Sequence, residues 1–355
     1  MTETAQTAVV GVTGYAGAEL ARLLLHHPRL KSKPPVFAGR IDAAEAARGG
    51  TPLGEIHPEL RDSKGGGNLR LQPFSWGLFA DLDVEVLFLA TPHEQSRAWV
   101  PEALARGMRV IDLSGAWRLS EASNRAVYDF EDEGSVEALK IQAQAVYGLP
   151  ELHRARIAGA HLVANPGCYA TSVILAVRPL VAAGIVDLDR GIVADAKSGV
   201  SGAGKAPTAR THFMHAADNL SAYGVFSHRH TGELLEQIGV DARSITFTPH
   251  LLPIPRGILS TIYLWFREPQ TRRSLCSIYH SFFAGSPMVR LHETTLPQIQ
   301  HSVRTCYADV GFQLSPDGHH AVIVSCLDNL LKGASSQAVQ NLNVMLGWDE
   351  AEGLE

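Results

Sequence analysis

The sequence predicts an α/β protein of two domains, the first built on a parallel sheet and the second on a mainly antiparallel sheet. The chain has 355 residues, more than one hydrophobic core usually holds. Apolar strands alternate with helical patterns up to about residue 165, which favours right-handed βαβ units. Beyond about residue 184 strands dominate, which favours an α+β arrangement. We therefore predict domains at residues 1–165 and 166–332, with a C-terminal helix at 333–348 packing back on the first.

In the first domain, short apolar runs predict buried strands, and apolar residues spaced three and four apart predict helices. Residues 48–81 are rich in Gly, Pro and charge, so we expect an irregular excursion with a loop at residues 65–67. The predicted strands cover residues 7–12, 36–38, 84–90, 108–113 and 161–164, and the predicted helices cover 16–26 and 93–106.

In the second domain, a strand–turn–helix pattern comes first, with an Asn-Pro-Gly turn before an apolar stretch at residues 172–181. Further on, Ser-Pro-Asp-Gly at residues 315–318 predicts a hairpin turn between two strands. The predicted strands cover residues 191–196, 245–248, 257–266, 304–314 and 321–326, and the predicted helices cover 231–238, 272–283 and 335–346.

Composition and charge narrow the classes of function. A hydrophobic content of 45% and a charged content of 19% are ordinary for a soluble globular protein. A net charge of −5 without a long basic patch disfavours a nucleic-acid partner. The sequence shows no signal peptide and no apolar run of membrane-spanning length. The four cysteines form no C-x-x-C pair, so we predict a reduced, cytoplasmic protein with no metal site and no disulfide scaffold.

A glycine-rich turn follows the first predicted strand and opens the first predicted helix. Its G-x-x-G-x-x-G spacing allows a tight turn and the close approach of a pyrophosphate to the helix N-terminus. This context predicts a Rossmann-type dinucleotide site, while an ordinary glycine turn remains the alternative. The residues expected to contact the cofactor here are Gly11, Thr13, Gly14, Tyr15, Ala16 and Gly17.

The end of the second predicted strand indicates which dinucleotide binds. An NAD site usually places an acidic side chain there, near the adenosine ribose. In this chain the strand ends at Arg40, and a guanidinium suits a 2′-phosphate. We therefore expect NADP(H), although Asp42 is close enough in sequence to keep NAD open.

Cys168 directly follows the Asn-Pro-Gly turn, which places one thiol at a predicted helix N-terminus. Unpaired backbone N–H groups and the positive end of the helix dipole favour an anion there. Such a position lowers the pKa of a thiol and produces a nucleophile at neutral pH. Together with a dinucleotide site, this cysteine predicts hydride transfer through a covalent thioester.

Two more segments supply candidate site residues. His228, Arg229 and His230 precede a predicted helix, and two imidazoles beside a guanidinium suit an anionic, proton-transferring site. The loop at residues 197–205 nearly matches a P-loop, but Ala206 stands where that motif needs a hydroxyl. We expect this loop to offer backbone N–H groups to nicotinamide or phosphate instead. Arg118 and Arg256 are candidates for a carboxylate or phosphate, or ordinary surface cations.

The stretch Asn165-Pro166-Gly167-Cys168-Tyr169-Ala170-Thr171 resembles the N-acetyl-gamma-glutamyl-phosphate reductase family, the arginine-pathway branch of the aspartate-semialdehyde dehydrogenase superfamily. Matching motifs run nearly from end to end of the chain, and the His-Arg-His segment supports the resemblance. Ser172 departs from the family pattern, which usually has Gly or Ala there. Matches also lie at residues 11–17, 112–114, 198–205, 253–258 and 328–337.

The resemblance implies NADPH-dependent reduction of an N-acetylglutamyl phosphate to its semialdehyde, with release of inorganic phosphate. It implies that Cys168 is the nucleophile and that His228 transfers the proton, with His230 as the alternate. By family analogy the protein is expected to form a homo-oligomer, a dimer or tetramer. The other implied contacts are Ser198, Gly199 and Asn329 with the cofactor, and Arg118, Asn165, Arg229, His230 and Arg256 with the substrate.

Three other functions remain open at this stage. A reductase for aspartyl phosphate or carrier-bound aminoadipyl phosphate would share the chemistry and differ in the substrate pocket. A cysteine hydrolase or acyltransferase would use the thiol without a redox step. A non-catalytic NADP-binding sensor would need neither a reactive thiol nor a redox step. Asn165 and Pro166 favour the arginine branch over the lysine branch.

Overall fold

The computed structural model describes residues 3–61 and 68–355, apart from the side chain of residue 43, so the loop expected at residues 65–67 lies outside the described residues. The chain divides into two compact units. The first comprises Met1–Arg118, Glu131–Asn165 and Ala334–Glu355, and the second comprises Leu119–Phe130 and Pro166–Gly333.

Leu119–Phe130 belongs to the second unit although it lies inside the predicted first domain. The carboxylate of Glu236 explains this placement. It accepts hydrogen bonds from the backbone N–H and the hydroxyl of Ser120, from the backbone N–H of Glu121 and from the amide of Asn124, at 2.7–3.0 Å. These hydrogen bonds to Glu236 involve polar groups alone. The hydrophobic periodicity that predicts strands and helices therefore does not indicate them.

The helices of the protein lie in both units, and most are short. Two of the longer helices of the first unit have 12 and 13 residues, and one of the second unit has 15. In chain order they are α1 (Tyr15–His26), α2 (Ala43–Ala47), α3 (Leu53–Ile56), α4 (Trp76–Asp81), α5 (His93–Ala105), α6 (Ala122–Arg125), α7 (Val136–Gln144), α8 (Pro150–Ile157), α9 (Cys168–Ala182), α10 (Phe213–Ala216), α11 (Thr231–Ile238), α12 (Arg272–Phe282), α13 (Ile299–Ser302) and α14 (Ser336–Leu346).

The first unit is built on an eight-stranded sheet, and the predicted parallel arrangement is confirmed. All neighbouring strands pair in parallel except β3 and β4. The strand order is β3-β4-β2-β1-β5-β6-β8-β7. The strands are β1 (Thr7–Val10), β2 (Val36–Gly39), β3 (Thr51–Pro52), β4 (Arg70–Pro73), β5 (Val86–Leu89), β6 (Arg109–Asp112), β7 (Ala145–Tyr147) and β8 (Leu162–Ala164).

The expectation of an irregular excursion at residues 48–81 is wrong in part, because the described part of this segment contains strands β3 and β4 and helices α3 and α4. Strand β4 pairs in parallel with β2, but only Leu71 of its four residues is buried. Helix α4 begins after Ser75, whose hydroxyl accepts a hydrogen bond from the backbone N–H of Leu78 at 3.1 Å. Elements of four and six residues are too short for hydrophobic periodicity to indicate them.

The second unit is built on a seven-stranded sheet that is mainly antiparallel, as predicted, with parallel pairing at β9–β11 and at β13–β14. Strands β14 and β15 form the expected hairpin. The strand order is β10-β11-β9-β12-β15-β14-β13. The strands are β9 (Ile192–Gly199), β10 (Ser221–Ala222), β11 (Ile245–Leu252), β12 (Ile258–Trp265), β13 (Val289–His292), β14 (Ala308–Leu314) and β15 (His320–Leu327).

Helix α9 packs against one face of this second sheet, where it contacts β9, β12, β14 and β15. Its mostly apolar side chains are buried along nearly the whole length. A polar contact lies inside that layer: the hydroxyl of Ser172 is 2.8 Å from the hydroxyl of Ser260 and 3.1 Å from that of Ser325. The helix that begins at the candidate nucleophile is therefore fixed to β12 and β15 one turn further on.

Three further features of the described residues concern membrane spans, metal sites and disulfides. No helix among them has both the length and the apolar character needed to span a bilayer. In the same residues no group of three or more His, Cys, Asp or Glu side chains is placed to hold a metal ion. The four cysteines carry thiols and form no disulfide with one another.

Candidate active site

Helix α9 begins at Cys168, as the Asn-Pro-Gly turn predicts. The helix is 15 residues long, and its N-cap, Gly167, offers no side chain to the first turn. Backbone N–H groups at such a terminus favour an anion close to the first helical residue. Cys168 is half-buried, so its thiol combines a favourable helix terminus with access from solvent.

A cavity of about 400 Å³ contains Cys168. Its walls come from distant parts of the second unit: the start of α9, the end of β9, the turn before α10 and the segment before α11. The cavity therefore collects residues that are far apart in the sequence. It is lined by Val127, Cys168, Tyr169, Ser198, Gly199, Gly202, Ala203, Arg210, Tyr223, Gly224, Ser227, His228, Arg229, His230 and Leu251.

Two residues of the segment at α11 fix the turn before Cys168. The buried carboxylate of Glu233 accepts a hydrogen bond of 2.9 Å from the backbone N–H of Gly167. The ring of His230 packs directly on Gly167, where a Cβ would lie only 2.4 Å from Nε2. His230 Nε2 also lies 3.9 Å from Glu233 Oε1. Only glycine fits at residue 167 beside the His230 ring. The turn before Cys168 therefore packs tightly against the segment at α11.

His228 is a neutral imidazole in the wall of the cavity. Burial, followed by the charge of Arg229, lowers the pKa of His228 to about 4. Its Nδ1 accepts a hydrogen bond of 3.1 Å from the backbone N–H of His230, so the proton of the neutral ring is on Nε2. The ring lies edge-on to Tyr169, with 5.8 Å between centroids. His228 is therefore held in one tautomer with a defined N–H donor.

Two tyrosines complete this wall, Tyr169 buried and Tyr223 half-buried, and neither was a candidate site residue from the sequence. The hydroxyl of Tyr169 donates to the backbone carbonyl of His250 at 2.6 Å. Burial raises the pKa of both Tyr169 and Tyr223 above the usual value for a phenol, so both hydroxyls are neutral donors. The immediate neighbourhood of Cys168 is thus lined with neutral polar groups and two arginines.

The glycine turn of the first unit has the geometry that the sequence predicts. Gly11 has a φ of +97°, and a Cβ there would lie 2.3 Å from the carbonyl oxygen of Ala90. A Cβ at Gly17 would lie 2.2 Å from the carbonyl oxygen of Gly11. Gly14 is the N-cap of α1 and offers no side chain to the first turn. The turn is therefore compressed to backbone alone and leaves the N–H groups of the α1 terminus for a ligand.

Arg40 and Asp42, the two candidates for reading the ribose, have different surroundings. Arg40 is exposed directly after β2. The carboxylate of Asp42 caps α2, where it accepts a hydrogen bond of 2.7 Å from the backbone N–H of Glu45. The guanidinium is accessible at the strand end, whereas the carboxylate already holds a helix terminus.

Two family descriptions cover most of the chain. Residues 6–160 match the semialdehyde dehydrogenase NAD-binding domain, and residues 168–329 match the semialdehyde dehydrogenase dimerisation domain. A Methanococcus maripaludis protein named N-acetyl-gamma-glutamyl-phosphate reductase is 39% identical over 351 residues, which is 98% of this chain and 96% of the relative. A Desulfotalea psychrophila protein of the same name is 40% identical, with 98% of this chain and 97% of the relative covered.

This chain belongs to the N-acetyl-gamma-glutamyl-phosphate reductase family.

Solved structures show the same fold at lower identity. Aspartate semialdehyde dehydrogenase II from Vibrio cholerae, complexed with ASA, has a TM-score of 0.70 at 18% identity and covers 98% of this chain and 99% of that one. Aspartate semialdehyde dehydrogenase from Candida albicans, solved with NADP, has a TM-score of 0.65 at 14% identity, with 96% and 98% covered. The predicted fold class is thereby confirmed.

Two residues that the N-acetyl-gamma-glutamyl-phosphate reductase resemblance assigned to substrate are held inside the first unit. The guanidinium of Arg118 donates to the carbonyl oxygens of Asn165 at 2.7 Å and Leu113 at 2.8 Å. Asn165 is fully buried, and its amide donates to the carbonyl of Ala334 and accepts from Asn341, both at 3.0 Å. Arg118 thus bonds to the chain just after β6 and β8, and Asn165 bonds to groups just before and within α14.

Two other residues of the N-acetyl-gamma-glutamyl-phosphate reductase pattern, Asn329 and Arg256, bond to protein groups near the end of β9 and the start of β12. The amide of Asn329 accepts a hydrogen bond of 2.8 Å from the backbone N–H of Gly257 and donates one of 2.9 Å to Ser201. Arg256 Nε lies 3.2 Å from the buried carboxylate of Asp328. These residues hold the loop that leads from Ser198 and Gly199, which themselves line the Cys168 cavity.

Proposed function

We propose that this protein catalyses the NADPH-dependent reduction of N-acetyl-L-glutamyl 5-phosphate to N-acetyl-L-glutamate 5-semialdehyde and inorganic phosphate, in arginine biosynthesis. One observation carries the proposal: in a chain of this reductase family, the Cys168 thiol begins a 15-residue helix within a cavity that also contains His228 and Arg229. A nucleophile, a proton donor and a cation are the groups that reduction of an acyl phosphate needs.

The covalent step belongs to Cys168. Its thiolate attacks C5 of the acyl phosphate, a C–S bond forms, and the C–O bond to phosphate breaks. The resulting thioester is a better hydride acceptor than a carboxylate, which is the reason for the covalent route. Bound NADPH supplies a hydride to the thioester carbonyl carbon. The C–S bond of the hemithioacetal then breaks and returns the thiolate, so the net reaction consumes one proton and releases phosphate.

The consumed proton ends on the departing phosphate, and His228 acts on the carbonyl oxygen in our proposal. Its neutral ring donates a hydrogen bond from the Nε2 N–H to the oxygen that becomes negative when the carbonyl is attacked. That hydrogen bond weakens again as the carbonyl re-forms, and the ring stays neutral. His230 is the alternate, but its ring packs on Gly167 at the turn, which suits it to holding Cys168 in position.

The cofactor site is proposed at the glycine turn of the first unit, within residues 1–165. The backbone cradle at Gly11 and Gly17 fits a pyrophosphate, with Thr13, Gly14, Tyr15 and Ala16 beside it, because no side chain fills it. We propose NADP(H) rather than NAD(H), since Arg40 is exposed at the strand end and Asp42 is engaged as a helix cap.

The substrate is proposed to bind in the second unit, within residues 166–332, against Arg229, His230 and the loop at Ser198 and Gly199. Arg229 is exposed and lines the cavity, so it is available to an anionic group. The bonds of Arg118, Asn165 and Arg256 to protein groups suit these three to positioning the strand ends and loops. Asn329 acts similarly by holding the start of β12.

We also propose a homo-oligomer formed through the second sheet. The face opposite α9 carries Val193 and Tyr263, which are 37% and 41% exposed. Large apolar side chains in the middle of a sheet face favour burial against another surface. Sedimentation of the wild type and of Val193→Asp/Tyr263→Asp tests this, and an unchanged mass would exclude this face as the interface. A catalytic thiol and a reduced cofactor also suit the cytoplasm.

The test is the reverse reaction, in which the purified protein reduces NADP⁺ with a semialdehyde and phosphate. We expect N-acetylglutamate semialdehyde to be oxidised with the highest kcat/KM, and only when phosphate is present. A preference for aspartate semialdehyde would identify the other branch of the superfamily. Turnover of an acyl phosphate without any nicotinamide cofactor would identify a hydrolase or acyltransferase.

A second measurement tests the covalent step itself. Incubation with the acyl phosphate alone, followed by mass spectrometry, is expected to show an N-acetylglutamyl adduct on Cys168 that disappears when NADPH is added. An adduct at Cys276, or none under conditions of full activity, would contradict the thioester route.

A further inference from the structure

The cavity around Cys168 has a second arginine that belongs to none of the motifs identified in the sequence. Arg210 lies in the turn before α10 and lines the cavity together with Arg229. Paired hydrogen bonds close the turn: the backbone N–H of Thr208 donates to the hydroxyl of Thr211 at 2.9 Å, and the backbone N–H of Thr211 donates to the hydroxyl of Thr208 at 3.2 Å. Arg210 therefore lies in a turn that these hydrogen bonds hold closed.

An aromatic ring holds the Arg210 guanidinium. Its carbon Cζ lies 4.7 Å from the centroid of the Tyr223 ring, which is within cation–π range. The charges of Arg210 and Arg229 both act to lower the pKa of Tyr223, whereas the charge on Cys168 acts to raise it. Tyr223 therefore lies among the nucleophile and both cations, and the three charged groups surround one region of the cavity.

Both cations lack an acidic neighbour. Across residues 3–61 and 68–355, no salt bridge of 4.0 Å or less joins Arg210 or Arg229 to a carboxylate. An arginine stacked on an aromatic ring keeps its N–H fork available for a carboxylate or phosphate. Two uncompensated guanidinium groups beside a nucleophile thus favour a ligand with two separate anionic groups.

The proposed substrate has two such groups, a phosphate on the reacting carbon and a carboxylate at the far end of the chain. Arg229 lowers the pKa of His228, so it lies beside the proton donor and near the reacting carbon. Arg210 lies on a separate turn, where it is held over Tyr223, and Arg229 is the cation whose charge acts on that imidazole. The two cations are therefore assigned to different ends of the substrate.

We propose that Arg210 is the specificity-determining residue that binds the substrate's α-carboxylate, while Arg229 faces the phosphate. This assignment rests on the proposed reductase function. Substitution of Arg210 by an uncharged residue removes one charge-assisted hydrogen bond to the carboxylate. The loss of one such bond corresponds to roughly a 10- to 100-fold increase in KM. Arg210 acts on the substrate directly, so the effect is on binding.

The reverse reaction separates the two ends of the substrate, because the semialdehyde and phosphate are then different molecules. In Arg210→Gln we expect the KM for N-acetylglutamate semialdehyde to rise roughly 10- to 100-fold, with the KM for phosphate within about 2-fold of the wild type. Arg210→Lys is expected to recover part of the loss. The matched control is Arg243→Gln, an exposed arginine outside the cavity, which is expected to behave as the wild type.

A substrate analogue makes the test independent of folding. 4-Acetamidobutanal lacks only the α-carboxylate, so Arg210→Gln and the wild type are expected to oxidise it with the same kcat/KM. Equal loss on both aldehydes, an increase in the KM for phosphate, or no change with the natural aldehyde would each overturn the assignment. Failure of the wild type to oxidise N-acetylglutamate semialdehyde would instead reject the proposed function.

Discussion

The protein has two helices that begin at an uncapped glycine turn, α1 in the first unit and α9 in the second, and they differ in how the turn is built. At α1 the turn is shaped by backbone alone, with Gly11 against Ala90 and Gly17 against Gly11. At α9 the turn is shaped by side chains from another element, with His230 and Glu233 of the α11 segment packed on Gly167. Both turns leave first-turn N–H groups exposed to an anion.

The difference shows what each terminus is suited to hold. A backbone cradle is open and uncharged, which suits a diffusible anion such as a pyrophosphate. The turn at α9 has its own reacting group, Cys168, and neighbours that orient it. In our proposal, the terminus of α1 therefore binds a diffusible cofactor and the terminus of α9 holds a fixed nucleophile.

The largest expected effect is at the nucleophile. Cys168→Ser removes the thiolate that the helix terminus favours, so reductase activity should fall by at least about 1000-fold while NADPH binding is retained. Steady-state kinetics and fluorescence titration of NADPH measure the two quantities. Cys276→Ser, in α12, serves as the control and should leave both unchanged. Retained turnover in Cys168→Ser would contradict the covalent mechanism.

The backbone cradle is tested by a pair of glycine substitutions. A Cβ at Gly17 would lie 2.2 Å from a carbonyl oxygen, so Gly17→Ala should lower the free energy of unfolding by roughly 1–3 kcal/mol and abolish NADPH binding. A Cβ at Gly14 would have its nearest neighbour at 3.7 Å, an ordinary contact. Gly14→Ala should therefore fold normally, as urea unfolding can show. Equal destabilisation by the two variants would refute this account of the turn.

In our proposal, the choice between NADPH and NADH depends on Arg40, which is exposed after β2. Arg40→Ser should lower the preference for NADPH over NADH by roughly 10- to 100-fold, because a charge-assisted contact to the 2′-phosphate is lost. The ratio of kcat/KM values for the two cofactors measures it. Asp42→Asn is the companion variant and should change the ratio little. A shift toward NADPH in Asp42→Asn alone would point to the carboxylate as the group that reads the ribose.

The neutral state of His228 is tested by removing the charge beside it. In Arg229→Gln the pKa of His228 should rise from about 4 toward the usual 6.5, although burial still keeps it low. Titration of the imidazole Cε1 proton by NMR measures the change. An unaltered pKa would show that burial alone sets the protonation state.

The same group links folding stability to pH. Between about pH 4 and 6.5 the unfolded chain binds more protons at His228 than the folded one, so the free energy of unfolding rises with pH. The stabilisation from burying the neutral ring is complete above pH 6.5 and is lost as the pH falls toward 4. Urea unfolding at pH 5 and pH 7 should show a smaller difference for Arg229→Gln than for the wild type.

The smallest effect concerns the attachment of α9 to its sheet. Ser172→Ala leaves the hydroxyls of Ser260 and Ser325 without this partner, which should lower the free energy of unfolding by about 1 kcal/mol. The triple alanine variant should lose less than the sum of the three single variants, since no polar group is then stranded. Additive losses would show that the three hydroxyls do not act together.

Patterns local in sequence predicted most of the fold. Buried apolar runs located the central strands of both sheets, and the hairpin at residues 315–318 followed from its turn residues. Strand β4 and helix α4 were missed because four and six residues with few buried side chains carry little periodicity. Strands β10 and β13 were missed for the same reason. Long-range pairing, which stabilises such elements, is absent from any local pattern.

The candidate site divides in the same way. Cys168, the glycine turn and His228 were identified because each lies in a short motif with its own chemistry. Glu233, Tyr223 and Arg210 were not, because nothing near them in the sequence indicates what they face. We propose positioning roles for Arg118 and Asn165, since their side chains bond to protein groups that are brought within reach only in the folded chain.

By itself, the sequence determined the two sheet types, the backbone cradle and the candidate nucleophile, because periodicity, glycine spacing and a thiol after a turn are set by neighbours along the chain. The tertiary structure decided the charge state of His228, the packing that holds Cys168 in place and the pairing of Arg210 with Arg229 in one cavity. Those properties depend on burial and on distances between segments far apart in sequence, and they exist only once the chain has folded.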